Sequence, residues 1–162
     1  MSLKRVAIIL DIVIILLYTH AFIYSQEKIP NVALYTVEGK RVILYSIIGM
    51  LPDNGIVVMN FTSVNCPPCK KEIPELLFIA KTSKKPVTIL FIYSENGTTV
   101  LQSAKEMGIK DTVYCDVLDN VRKQFNITQI PTTIVINREG NVLGKYIGYS
   151  EKNMREIKEK VM

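Results

Sequence analysis

The sequence predicts an α/β domain built on a sheet of mixed strand direction. Three observations carry that prediction. Short apolar runs rich in β-branched residues recur as "IVVMNF" (56–61), "VTILFIY" (87–93) and "PTTIVIN" (131–137), each of strand length and bounded by turn residues. Segments with apolar residues at helical spacing lie between the strands. After the third run come a turn, one more strand and an amphipathic helix, an ending that makes the last strand antiparallel.

From the N-terminus, Lys4 and Arg5 precede an apolar run, and 19 residues separate Val6 from Tyr24 inclusive. That is close to the ~20 a membrane-spanning helix needs. Asp11 costs about 2.5–3.5 kcal/mol at a helix centre, less near the basic end, and the many Ile and Leu residues offset it. Residues 1–24 read as a signal anchor, retained rather than cleaved, with Lys4 and Arg5 inside and the following domain outside. The polar, proline-containing stretch 25–31 reads as a linker, and the domain proper spans 32–162.

Within it, Glu38-Gly39 divides two β-rich runs, 32–37 and 41–45, which predicts a hairpin. Ile56–Phe61 reads as a strand buried on both faces. Ile73, Leu76, Leu77 and Ala80 recur at helical spacing, with Pro74 set to kink that helix. After the strand at 87–93, Asn96-Gly97-Thr98 opens a helix whose inner face is Val100 or Leu101, Ala104 and Met107, closed by Gly108. Val113–Cys115 is a short strand, and Asp119 caps a brief helix carrying Val121 and Phe125. The turn Arg138–Asn141 leads to the strand at 142–148. Ser150 caps a last helix with Met154, Ile157 and Val161 inward.

Composition narrows the function. With 48% hydrophobic and 22% charged residues among 162, a packed core forms and wholesale disorder is excluded. Three cysteines are too few for a disulfide-stapled scaffold. The net charge of +5 is spread along the chain without interleaved aromatics, which argues against a nucleic-acid partner.

The chemistry concentrates in "SVNCPPCK" (63–70). Cysteines at i and i+3 of a helix start can close a small disulfide ring. Pro67 and Pro68 suit the first helical positions, where a missing N–H costs little. Cys66 then meets unpaired amides and the positive end of the helix dipole, which favour its thiolate. Cys69 lies one turn in. Cys66 is therefore the attacking thiol and Cys69 the resolving one. Two competing readings are weaker. A Cys-x-x-Cys pair is half of a zinc site, but Cys115 is alone and His20, the single histidine, lies in the anchor. A purely structural disulfide of so small a ring would constrain little of the unfolded chain.

The stretches "VVMNFTSVNCPPCKKEIPEL" and "ITQIPTTIVINREGNVLGKYIG" resemble the thioredoxin-like proteins of the TlpA/ResA type, which are membrane-anchored, DsbE-like thiol–disulfide oxidoreductases. The resemblance covers about residues 30–162. It implies the thioredoxin fold: a central mixed sheet flanked by helices, with an added N-terminal hairpin. Cys66 and Cys69 match the redox pair, Pro74 the proline inside the active-site helix, and Pro131 the cis-proline facing the pair. A cis bond after Ile130 would offer that residue's backbone to a substrate strand. Pro67, Pro68, Ile130 and Pro131 are thus the candidate substrate-binding residues. Glu72 matches an acidic residue of this branch. It could serve Cys69 as a proton shuttle or be a first-turn glutamate favoured by the dipole. Asn60 stands where thioredoxins proper carry a buried aspartate. Asn65 stands where an aromatic usually precedes the pair. Cys115 matches no family role and reads as an inert buried thiol.

For function, these readings imply a single-pass protein of the cytoplasmic membrane whose domain faces the periplasm or extracytoplasmic space. It exchanges disulfides with exported proteins through Cys66 and Cys69 and needs no cofactor beyond that redox-active pair. The resemblance implies reduction of Cys-x-x-Cys disulfides, above all in apocytochrome c during cytochrome c maturation, with electrons from an integral-membrane donor. The alternatives are a thiol oxidant or general disulfide reductase outside the membrane, and a non-enzymatic copper- or zinc-handling module.

Overall fold

The computed structural model describes residues 10–15, 28–110 and 113–162. Its elements are β1 (Ala33–Thr36), β2 (Arg41–Ile43), α1 (Leu44–Gly49), β3 (Ile56–Thr62), α2 (Pro67–Thr82), β4 (Val87–Tyr93), α3 (Thr98–Glu106), β5 (Val113–Cys115), α4 (Asn120–Gln124), β6 (Thr132–Asn137), β7 (Val142–Ile147) and α5 (Glu151–Val161). The seven strands form one sheet in the order β2-β1-β5-β4-β3-β6-β7. β3, β4 and β5 run parallel, and every other neighbouring pair is antiparallel. This is the expected thioredoxin arrangement, with the hairpin joined to the β5 edge.

β3 lies inside the sheet between β4 and β6, and all seven of its residues are buried. Its side chains alternate between two cores. Ile56 and Val58 face Ile73, Leu76, Val100, Met154 and Ile157 of α2, α3 and α5. Val57, Met59 and Phe61 face Leu44 and Ile48 of α1, Val121 of α4 and Phe125 just beyond it. Burying a side chain of this size contributes about 1.5–3 kcal/mol, so the two-sided strand is the scaffold on which its own C-terminal end is held. Because β3, β4 and β5 are parallel, the loops that follow them (63–66, 94–97 and 116–119) emerge at one edge of the sheet. The antiparallel β6 begins at that same edge, with Thr132 opposite Phe61.

Two expectations need correction. The second hairpin strand ends at Ile43, not Tyr45, because Leu44, Ile48 and Leu51 are buried one helical turn apart and wind into and beyond α1. Asp119 does not cap α4. It sits in the left-handed region at φ 54° with no side-chain cap bond. The cap is Asp116, whose Oδ1 accepts from the Val121 amide at 3.0 Å and Oδ2 from the Arg122 amide at 2.8 Å.

Residues 10–15 are helical and exposed; the remainder of the expected 1–24 anchor lies outside the described residues. Among the described residues no helix is long and apolar enough to cross a membrane. The described end of the expected linker lies against the domain: Ile29 is buried and donates its amide to Gly140 O at 3.0 Å.

Candidate active site

Pro67 and Pro68 occupy the first two positions of α2, and Cys66 is its N-cap in extended conformation. Neither proline has an N–H to give. The first amide available at this helix end is therefore that of Cys69, and it donates to Cys66 Sγ at 3.3 Å. Cys66 and Cys69 are joined in a disulfide. Cys69 is fully buried, while Pro67 and Pro68 are exposed beside a nearly buried Cys66. The helix continues through Pro74.

One turn beyond Cys69, Glu72 is 1% exposed. Thr133 Oγ1 donates to its Oε1 at 2.8 Å, and Asn60 Nδ2 approaches its Oε2 at 3.4 Å while donating to Thr133 Oγ1 at 2.9 Å. Burial pushes this carboxyl up to about 7, against the two hydrogen bonds that favour the ionised form; the nearby Glu75 carboxylate adds to the rise. No acidic residue lies in the first turn of α2, which sets aside the reading of Glu72 as a first-turn glutamate favoured by the dipole. The arrangement makes a buried acid that is half protonated near neutral pH, fixed from β3 on one side and β6 on the other. Asn60 Oδ1 has no donor among the described residues.

The loop leading to Cys66 is held by a residue that spacing did not single out. Ser63 Oγ donates to Glu95 Oε1 at 2.5 Å, the Val64 amide donates to Glu95 Oε2 at 3.4 Å, and the Asn65 amide donates to Ser63 Oγ at 3.3 Å. Behind it, Arg122 Nη2 donates to Thr62 O at 2.9 Å. Register then carries β6 to the same place: Phe61 faces Thr132, so Pro131 falls beside Thr62, four residues before Cys66. The Ile130–Pro131 bond is cis, Pro131 is buried and Ile130 is half-buried. Among the described residues the Ile130 amide and carbonyl enter no backbone–backbone hydrogen bond, whereas Pro131 O accepts from the Gly148 amide at 2.8 Å. Ile130 thus has backbone groups to offer.

Cys115 lies apart, buried at the end of β5. Burial first, then the Glu38 and Glu95 carboxylates, push its thiol above the ordinary range. Among the described residues no group of three or more His, Cys, Asp or Glu side chains is placed to hold a metal ion. Of the supporting residues, Thr133, Glu95 and Arg122 had no sequence signal, since each acts on the site from a distant part of the chain.

A dithiol at a helix start, on this fold and above a buried acid, is built to pass disulfides between chains, and the comparisons with known proteins give it a lineage. Residues 25–161 match the Redoxin family, and the chain belongs to it. It is 31% identical over 160 residues to the thiol-disulfide oxidoreductase ResA of Bacillus subtilis, covering 93% of this chain and 87% of that protein. To the sporulation thiol-disulfide oxidoreductase A of the same organism it is 28% identical over 131 residues, covering 76% and 75%. Among solved structures, a thioredoxin-family thiol:disulfide interchange protein of Chlorobium tepidum superposes with a TM-score of 0.65 at 28% identity, covering 84% and 94% of the two chains. StoA of Bacillus subtilis superposes with a TM-score of 0.62 at 22% identity, covering 82% and 97%. The protein is a thiol–disulfide oxidoreductase.

Proposed function

We propose that this protein reduces disulfides in exported proteins from a membrane tether. Cys66 is the nucleophile, Cys69 the resolving thiol and Glu72 the proton carrier. The observation that carries the reading is the cysteine pair at the start of α2 with a buried, half-protonated carboxyl one turn below it. The Cys66 thiolate attacks one sulfur of a substrate disulfide. That S–S bond breaks, a mixed disulfide forms, and the first substrate sulfur leaves and takes a proton. Glu72 accepts the Cys69 proton, and the Cys69 thiolate attacks Cys66 Sγ. The second substrate sulfur leaves and is protonated, and the domain ends as the Cys66–Cys69 disulfide. Two electrons and two protons pass to the substrate. A dithiol donor embedded in the membrane then restores the pair by the same exchange in reverse.

Ile130 and Pro131 present backbone to the substrate strand, and Pro67 and Pro68 form the surface it meets on approaching Cys66. The extracytoplasmic setting is supported by the basic residues before the apolar run at 6–24. The preferred substrate class, Cys-x-x-Cys disulfides such as those of apocytochrome c, rests on the resemblance to the TlpA/ResA type. A trapping experiment tests the reading. Cys69→Ser in the full chain is expected to accumulate covalent adducts with exported proteins, identifiable by mass spectrometry, and Cys66→Ser is expected to accumulate none. Membranes carrying the Cys69 variant and yielding no adduct would overturn it.

A further inference from the structure

The residue before the redox pair is Asn65, which is exposed, and the chain contains no tryptophan. An apolar surface for a polypeptide substrate lies elsewhere on the same edge. The hairpin extends the sheet beyond β5, and Tyr35 on β1 is left half open to solvent. Tyr35, paired with Cys115 and on its face of the sheet, is 45% exposed. Between this face and the turn after β5 runs a groove of about 290 Å³, walled by Ala33, Tyr35 and Val37 on one side and by Val117 and Leu118 on the other. Val117 and Leu118 are 51% and 73% exposed in that turn. Contiguous exposed apolar side chains of this kind mark interaction surfaces, whereas scattered single ones do not.

The groove lies at the edge of the sheet that carries the redox site, since Val117 and Leu118 follow β5 as the loop into Cys66 follows β3. Asn96 lines it, next to Glu95, whose carboxylate holds the loop into Cys66. The Asp116 amide donates to Tyr93 O at 2.7 Å and the Ser94 amide to Thr62 O at 3.3 Å, lacing the ends of β5, β4 and β3 together. β5 is two strands from β3, a separation of about 10 Å. An extended chain covers that in roughly three to five residues.

We propose that this groove docks an apolar segment of the substrate polypeptide lying about three to five residues from the cysteine that Cys66 attacks. The proposal deepens the exchange reading above and rests on it. Its test uses the reduced full chain in detergent and two synthetic oxidised Cys-x-x-Cys peptides. They differ only at the residues three to five positions from the first cysteine, apolar in one (Leu, Leu, Val) and polar in the other (Ser, Gly, Ser). The apolar peptide is expected to have the larger kcat/KM by about tenfold, the effect of partly burying one large aliphatic side chain. Leu118→Asp and Val117→Asp, both at exposed positions, should each bring that ratio close to one, whereas Met50→Asp, exposed on α1's far end, should leave it intact. Equal rates for the two peptides, a ratio untouched in both groove variants, or a ratio lowered equally by Met50→Asp would overturn the groove alone. Failure to reduce either peptide, or reduction that survives Cys66→Ser, would overturn the exchange reading and the groove with it.

Discussion

Cys66 and Cys115 are the same side chain in opposite surroundings. Cys66 caps a 16-residue helix whose first two residues are prolines, so the Cys69 amide points at its sulfur. A thiolate there is stabilised by a backbone dipole that folding has already oriented. Cys115 ends a three-residue strand between β1 and β4, and the charges that act on it are the carboxylates of Glu38 and Glu95. Its thiol is held protonated. The difference teaches that reactivity here is set by what the backbone does next to the sulfur, not by exposure: both cysteines are under a tenth exposed.

The sharpest way to break that comparison is alkylation of the reduced protein. At neutral pH, iodoacetamide is expected to modify Cys66 far faster than Cys115, because burial and two carboxylates hold the Cys115 thiol protonated while an oriented amide faces the Cys66 sulfur. Comparable rates, read by mass spectrometry of the two peptides, would remove the electrostatic distinction. The next effect concerns the acid under the pair. Glu72 titrates near 7 in the folded protein against 4.5 for the free side chain. Between those values the native state keeps a proton that the unfolded chain has released, so this group's contribution to stability is fully present below about pH 4.5 and is lost as pH rises through 7, by about 3 kcal/mol in all. Urea midpoints of the oxidised protein at pH 5 and pH 8 should show this loss, and Glu72→Gln should abolish it. An unchanged pH slope in that variant would assign the effect to another group. A smaller effect tests the network that moderates Glu72. Thr133→Val deletes the 2.8 Å donor to its carboxylate, a bond that favours the ionised form, so the carboxyl should titrate higher still, monitored by NMR of the glutamate side chain.

Much of this was legible in the sequence because it is local. Strand runs, the hairpin turn at Glu38-Gly39, the prolines at the helix start and the Cys pair all sit within a few residues of what they do. The cis-proline position and the acid at 72 were visible only through resemblance, and what made the acid matter was not visible at all. Asn60, Glu72 and Thr133 meet because β3 packs between α2 and β6, 12 to 73 residues apart along the chain. Glu95 is 32 residues from the Ser63 it grips. The α4 cap was misassigned for the opposite reason. Asp119 is adjacent to the helix, but the chain enters through a left-handed residue, and that brings Asp116, further back, onto the free amides. Local type nominates Asp119; only the path of the backbone brings in Asp116.

The finest test of the Cys66–Cys115 contrast changes the number of amides rather than the sulfur. An N-cap side chain accepts from the second or third residue of the helix. Here the second is Pro68, which cannot donate, leaving Cys69 alone to do so. Pro68→Ala gives the helix end one more N–H without altering charge, and the exposed site can take alanine without disturbing the core. In the reduced protein Cys66 should then be alkylated at lower pH, while Cys115 should be unaffected, both measured by the pH dependence of alkylation. A Cys66 curve that does not move would mean that the overall dipole of α2, rather than individual amides, sets its ionisation.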